Sequence, residues 1–341
     1  MKDIISFVDI EDSWEAKHLG DSLRGTGSVK TFKETADVVL DKIKDSSILS
    51  TFIHSNVDKV IIDAMPNLRF ITTRSTGFDH IDTVYAKSKG IVVSNVPTYG
   101  ENTVAEHTFA LILSVARNLK KAHSKISEGD FSIKELMGFD LKGKTIGVVG
   151  TGHIGLRVIK MAVGFSMKVL AFDPVENQFL SEILGFRYVD FETLLRESDI
   201  ITLHAPYSKK THHLINEGNI GLIKKGAVLI NTARGGLVDT IALTKALDEG
   251  ILSGAGLDVL EGEDLILEEK QLLRKKKDLY NPEKLQLTLR NAFILQRENV
   301  VFTPHIAFYS EEALKRILDT TVENITSFLN GTPINVVNSA R

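Results

Sequence analysis

The sequence predicts an α/β protein built from two doubly wound parallel sheets. Three observations carry that prediction. Short apolar runs alternate with helical patterns through the first hundred residues. The alternation restarts near residue 145 and continues to about residue 303. At the restart, Gly147-Val-Val-Gly-Thr-Gly-His-Ile-Gly155 joins an apolar run to a helical one. Parallel strands need long crossovers, and a helix supplies one compactly, so alternation of this kind favours parallel sheets.

The elements follow in order. Residues 4–8, 47–53, 68–73 and 91–95 read as strands, with helical patterns at 14–23, 57–64 and 81–88. Residues 103 to about 126 read as one long helix, with Val104, Phe109, Leu111, Ile112, Val115 and Leu119 apolar; its length suits a connector between domains. In the second unit, strands are expected at 145–149, 168–172, 186–189, 199–204, 227–231, 254–259 and 299–303. The last helix, 311–329, has Glu311 and Glu312 in its first turn and Gly331 just past its end, both favourable placements. It follows the final strand and is assigned back to the first unit. The expected domains are therefore 1–100 plus 306–341, and 101–305 including the linking helix near 103–126. Residues 264–298 have weak periodicity and read as an exposed insertion with some helix. Its basic run, Arg274-Lys-Lys-Lys277, reads as a solvated face.

Composition narrows the function. The 341 residues are 43% hydrophobic and 25% charged, enough for two domains of ordinary size. The net charge of −3, from 41 basic and 44 acidic residues, gives no reason to expect a nucleic acid. The absence of cysteine excludes disulfides and thiolate metal sites. The first residues read as a strand rather than a signal peptide, and no apolar run approaches membrane-spanning length. No membrane partner is expected, and the cytoplasm is the default location.

The glycine turn carries specific chemistry. Gly150 allows a tight turn, Gly152 lets the backbone approach a pyrophosphate, and Gly155 lets the helix pack close to the strand. The free N–H groups and partial positive charge of the helix N-terminus, at His153 and Ile154, suit phosphate. A second strand, 168–172, ends in Asp173, about 20 residues past the glycines. A carboxylate there accepts hydrogen bonds from both ribose hydroxyls and repels a 2′-phosphate, which favours NAD over NADP.

A nicotinamide cofactor moves a hydride, so the protein must hold a substrate and move one proton. Polar residues for this belong at the C-terminal ends of strands. Arg234 follows the apolar run 227–233, where a guanidinium can clasp a carboxylate through two parallel bonds or serve the loop. His305 follows the strand ending in Thr303-Pro304, where an imidazole can give a proton to a ketone oxygen. Nine other histidines compete. His107 reads as packed on the long helix, His204 as part of a cofactor-lining turn, and His212 and His213 as loop residues. A carboxylate beside the imidazole would raise its pKa and fix its tautomer. Glu261, Glu263 and Asp264 are all placed for this, and the residues alone do not choose. There is no H-E-x-x-H metal pair, no G-x-S-x-G elbow and no G-x-x-x-x-G-K-[ST] loop, so no metal is expected.

Seven segments, in order, give the chain a resemblance to the D-isomer-specific 2-hydroxyacid dehydrogenases. They are Arg74-Ser-Thr-Gly-Phe-Asp-His-Ile-Asp82; Asn95-Val-Pro-Thr-Tyr99 with Val104-Ala-Glu-His107; Gly150-Thr-Gly-His-Ile-Gly155; His204-Ala-Pro206; Asn231-Thr-Ala-Arg-Gly-Gly236; Gly256-Leu-Asp-Val259; and Thr303-Pro-His305. The resemblance implies a Rossmann NAD-binding domain inserted into a flavodoxin-like substrate domain. It implies that Arg234 binds the substrate carboxylate, His305 is the acid/base and Glu263 is its carboxylate partner. Thr76 and Gly77 resemble the loop whose amides bind the same carboxylate. His153 and Ile154 resemble the pyrophosphate turn, and Asp173 the ribose acid. Ala205, Pro206 and Thr211 resemble cofactor-lining positions, and Thr232, Ala233 and Asp258 the nicotinamide side.

Within the family the likeness is greatest to D-lactate dehydrogenases, on Tyr99, on Leu-Glu-Gly-Glu263 and on His305-Ile-Ala-Phe-Tyr309, where Phe308 resembles the aromatic that closes a small pocket. Two features depart from it: Glu263-Asp264 stands where many relatives have Glu-Pro, and the 264–298 insertion is longer than in glycerate-type members. The implied reaction is NAD-dependent reduction of a small 2-keto acid to the D-2-hydroxy acid, pyruvate to D-lactate foremost. Hydroxypyruvate, glyoxylate, bulkier keto acids or phosphite fit the same apparatus. An NAD-sensing corepressor-like binding protein is the reading from another class. The resemblance also implies a homodimer.

Overall fold

A computed structural model describes residues 3–262 and 282–339. The chain divides into two compact units, Met1–Gly100 with Ser310–Arg341, and Glu101–Tyr309.

The first unit holds a five-stranded parallel sheet of β1 (Ile4–Phe7), β2 (Ser28–Thr31), β3 (Ile48–Thr51), β4 (Phe70–Thr73) and β5 (Val92–Ser94), in the order β2-β1-β3-β4-β5. β3 and β4 are buried at every position, because helices cover both faces of a doubly wound sheet. One cover is the helix Glu311–Leu329. Its Leu318 and Ile325 join Ile5, Phe7 and Phe70 in one apolar cluster, and Phe328 stacks on Phe70 with ring centroids 4.4 Å apart. β2 is an edge strand that the apolar pattern did not predict. Its sequence, Ser-Val-Lys-Thr, has one apolar residue and none of its four residues is buried.

The second unit holds a seven-stranded parallel sheet. Its strands are β6 (Thr145–Val149), β7 (Lys168–Phe172), β8 (Arg187–Tyr188), β9 (Ile200–Leu203), β10 (Ala227–Asn231), β11 (Leu252–Leu257) and β12 (Val300–Phe302), ordered β12-β11-β10-β9-β6-β7-β8. The winding reverses between β6 and β9. Their carboxyl ends flank the crevice where open α/β sheets of this topology bind ligands.

Two sequence readings are revised. The linking helix is two helices, Glu101–Ala116 and Leu119–Ser127. Asn118 adopts the left-handed conformation between them (φ 50°) and its side-chain amide donates to Met137 O. Asparagine tolerates that conformation better than most residues, so the apolar periodicity ran through a break that it could not register. In the insertion, Pro282–Gln296 is a helix packed on the helix Thr240–Asp248 and on β12, with Asn291 and Ile294 fully buried. Residues 264–281 lie outside the described residues.

Candidate active site

The three glycines of the turn meet three different constraints. Gly150 has φ 97°, and a Cβ there would lie 2.8 Å from the His204 carbonyl group. Gly155 has no room at all, since a Cβ would lie 2.0 Å from Gly150 O. Gly152 is the opposite case: nothing stands within 4 Å of where its Cβ would be. That open space fronts the N-terminus of the helix His153–Gly164, where the amides of His153 and Ile154 have no acceptor among the described residues. An anion close to the backbone fits such a place. Asp173 ends the next strand, and its carboxylate accepts from Thr151 N at 2.7 Å and Val175 N at 2.9 Å. The acid is thereby fixed at the turn, where a ribose would lie beside a pyrophosphate. The site fits NAD on the glycine space, the free amides and this acid.

Ala205 and Pro206 follow the His204 carbonyl on which Gly150 packs. Thr211 closes their loop, donating to Pro206 O at 2.7 Å and accepting from Ser208 N at 2.8 Å. His204 bonds Thr202 Oγ1 at 2.9 Å, and burial pushes its pKa down to about 3, so the ring is neutral.

The remaining groups lie along the carboxyl ends of β10, β11 and β12. The backbone laces these ends together: Asp258 N donates to Asn231 O and His305 N donates to Asp258 O, each at 2.9 Å. Asn231 spans the Arg234 turn, accepting from Ala233 N at 3.0 Å and donating to Arg234 O at 2.9 Å. The Arg234 guanidinium donates to Ala233 O. Thr232 is buried and shares a 3.0 Å hydrogen bond with Thr108.

Asp258 is 1% exposed. Its carboxylate accepts from Thr303 Oγ1 at 2.5 Å, Ile306 N at 2.9 Å and Ala307 N at 2.9 Å. Burial alone would raise this carboxyl's pKa; His107, Thr303 and the Ala307 amide outweigh it and hold the group below the usual carboxylate range. His305 sits within the turn that Asp258 organises, with φ 55°. Phe308 is half-buried and meets Tyr309 edge-on, centroids 5.7 Å apart.

Sequence reasoning missed His107. It is not merely packed: its Nε2 lies 2.9 Å from Thr303 Oγ1 and 3.5 Å from Asp258 Oδ1, so it belongs to the polar group behind the His305 turn. Of the three acids left open, Glu261 bonds His213, Oε1 to Nε2 at 2.7 Å. Glu263 and Asp264 lie outside the described residues.

In the first unit, Thr76 and Gly77 follow β4. The Thr76 hydroxyl donates to Val96 O, its carbonyl accepts from Asn95 Nδ2, and the Ser75 hydroxyl donates to Gly77 O. The loop is thus pinned, while the amides of Thr76 and Gly77 have no acceptor among the described residues. Tyr99 is half-buried, and its carbonyl accepts from Arg316 Nε at 2.7 Å. Among the described residues, no group of three or more acids and histidines is placed to hold a metal ion, and no helix is long and apolar enough to cross a membrane.

Strand order, glycine turn and acid together make the second unit a dinucleotide-binding domain. The chain belongs to the D-isomer specific 2-hydroxyacid dehydrogenases: that family's NAD binding domain matches residues 109–307. A glyoxylate reductase of Thermococcus litoralis is 38% identical over 309 residues, covering 88% of this chain and 86% of the relative. A D-specific alpha-keto acid dehydrogenase of Enterococcus faecium is 41% identical over 264 residues, 76% of each chain. Among solved structures, a D-lactate dehydrogenase from Aquifex aeolicus complexed with NAD and lactic acid superposes with TM-score 0.87 at 38% identity, covering 99% of this chain and 100% of that one. The cofactor is NAD, and the activity is that of an NAD-dependent D-2-hydroxyacid dehydrogenase.

Proposed function

We propose that this enzyme reduces pyruvate to D-lactate. The cofactor, bound in its reduced form as NADH, would supply the hydride that the keto carbon accepts. Arg234 clasps the substrate carboxylate, and the amides of Thr76 and Gly77 donate to carboxylate oxygens. The His305 imidazole gives its proton to the ketone oxygen, and Glu263 orients that imidazole. Gly152, His153 and Ile154 take the pyrophosphate on a turn shaped by Gly150 and Gly155, and Asp173 takes the ribose. Ala205, Pro206 and Thr211 line the cofactor, with Thr232, Ala233 and Asp258 toward the nicotinamide. Tyr99 and Phe308 are assigned to the substrate.

The observation that carries this reading is the lacing of Asn231, Asp258 and His305 across three adjacent strand ends, because it puts the Arg234 and His305 turns on one rim of the sheet. Support for pyruvate is the half-buried Phe308 beside Tyr309 and the likeness to a D-lactate dehydrogenase over the full chain. Glyoxylate is the second reading, favoured by the likeness to the Thermococcus litoralis enzyme.

The test is a steady-state panel with NADH: pyruvate, glyoxylate, hydroxypyruvate and a branched keto acid, with phosphite and NAD as a separate arm. The first reading expects the highest kcat/KM with pyruvate; a higher value with glyoxylate would replace it with the second. A homodimer is proposed on the exposed apolar residues Phe131, Ile133 and Met137, which are 79%, 88% and 92% exposed. Sedimentation should give twice the chain mass, and Ile133→Asp should shift it toward monomer.

A further inference from the structure

The turn carrying Arg234 is held between two other segments. On one side, His213 N donates to Gly236 O at 2.8 Å, Ile215 N to Leu237 O at 3.0 Å, and Asp239 N to Ile215 O at 2.9 Å. On the other, Gly235 sits directly on the Leu260–Glu261 peptide; a Cβ there would lie 2.1 Å from the Leu260 carbonyl. One side-chain pair ties the two outer segments together: His213 Nε2 to Glu261 Oε1 at 2.7 Å. His213 thus grips the turn with its main chain and the far segment with its ring.

Both ends of the tie are braced. Glu261 Oε2 accepts from Thr240 Oγ1 at 3.2 Å, and its carbonyl accepts from the buried Asn291. The His213 ring stacks on His212 at 3.8 Å, and His212 Nδ1 pairs with Tyr207 OH at 3.1 Å. The Tyr207 ring in turn fills the space beside Gly236, 2.7 Å from where a Cβ would be. The His213 and Glu261 side chains are only 30% and 25% exposed, so the pair is partly shielded from water. His213 itself has φ 49°, a conformation that favours glycine or asparagine, yet the ring is what the structure uses.

We infer that His213, through Glu261, is a positioning residue for substrate binding: it fixes the main chain from which Arg234 projects. It acts through that main chain and touches neither substrate nor cofactor. The inference rests on the proposed role of Arg234 as the carboxylate-binding group. A bidentate clasp depends on geometry, and a displacement of about 1 Å can cost about a hundredfold in rate. Loosening the turn should therefore weaken use of the keto acid and leave the glycine turn, which neither His213 nor Glu261 touches, intact.

The test compares His213→Ala, Glu261→Ala, the double variant, His213→Gln and Arg234→Ala, with pyruvate and glyoxylate as probes. Steady-state kinetics, NADH affinity by fluorescence and thermal melting are read on each. Each single alanine variant should lower kcat/KM about tenfold or more, chiefly through KM, with NADH affinity within about twofold of wild type. The double variant should be no worse than the worse single, and His213→Gln, which keeps a donor toward Glu261, should recover most of the loss. Additive losses in the double variant would overturn the inference. So would a loss that tracks melting temperature and NADH affinity together, or a glutamine variant no better than alanine. If Arg234→Ala impairs keto-acid use and the His213 variants do not, this inference fails alone. If Arg234→Ala leaves keto-acid KM and kcat unchanged, the proposed role of Arg234 fails and takes the inference with it.

Discussion

The main-chain amide of His305 donates to the carbonyl of Asp258 at 2.9 Å, while the Asp258 carboxylate holds the amides of Ile306 and Ala307, the next two residues. One buried aspartate therefore sets the whole turn in which His305 stands at φ 55°.

Asp258→Asn should damage both stability and turnover. The asparagine keeps the volume but points one NH2 group at donors that now have an acceptor. A buried donor left unpaired costs about 1–3 kcal/mol. Urea unfolding should show a loss in that range, and kcat should fall more than NADH affinity as the His305 turn loosens. An unchanged unfolding midpoint would contradict the role drawn for Asp258.

Gly152→Ala and Gly155→Ala should separate cleanly. Gly152 has φ −72° and open space, so its alanine variant should fold and melt like wild type, yet bind NADH at least about tenfold more weakly because the methyl occupies room the phosphates need. Gly155→Ala drives a methyl against Gly150 O and should cost about 1–3 kcal/mol or more. Fluorescence titration and melting on both variants check the pair; equal effects on both quantities would contradict it.

Asp173→Ala should narrow the preference for NADH over NADPH about tenfold or more, since the repelling carboxylate is gone. It also frees Thr151 N and Val175 N, so a modest drop in melting temperature should accompany the change. Kinetics with both cofactors decide it, and an unchanged ratio counts against the ribose role.

His204 gives a pH prediction. Its folded pKa is lowered to about 3, against 6.5 in the unfolded chain, so on acidification the unfolded chain takes up this proton first. The corresponding stability is intact above pH 6.5 and is lost as pH falls toward 3, by at most about 1.4 kcal/mol per pH unit. His204→Gln should flatten the slope of unfolding free energy between pH 6.5 and 4; an identical slope in both proteins would contradict the neutral, buried ring.

The central strands were legible because burial on both faces writes a continuous apolar run: β6, β7 and β10 stand where such runs lie. β2 was not legible, because a four-residue edge strand with one apolar side chain has no period to detect. The break at Asn118 lies in a single residue's dihedral angle, which apolar spacing does not encode. Gly150 and Gly155 were legible because each answers a local backbone constraint that only glycine meets, whereas Gly152 was legible only from its place in the fingerprint, since open space surrounds it. His107 was not, since its partner Thr303 lies 196 residues away and only the fold brings them together. The same holds for His213 and Glu261, 48 residues apart, whose pairing also explains why Glu261 could not be told from its acidic neighbours by position alone.

The role of His305 is tested most simply by kcat for keto-acid reduction by His305→Ala near neutral pH, with NADH affinity measured on the same protein. Loss of the general acid should lower kcat about a hundredfold or more, with NADH binding near normal. Full turnover in that variant would contradict it.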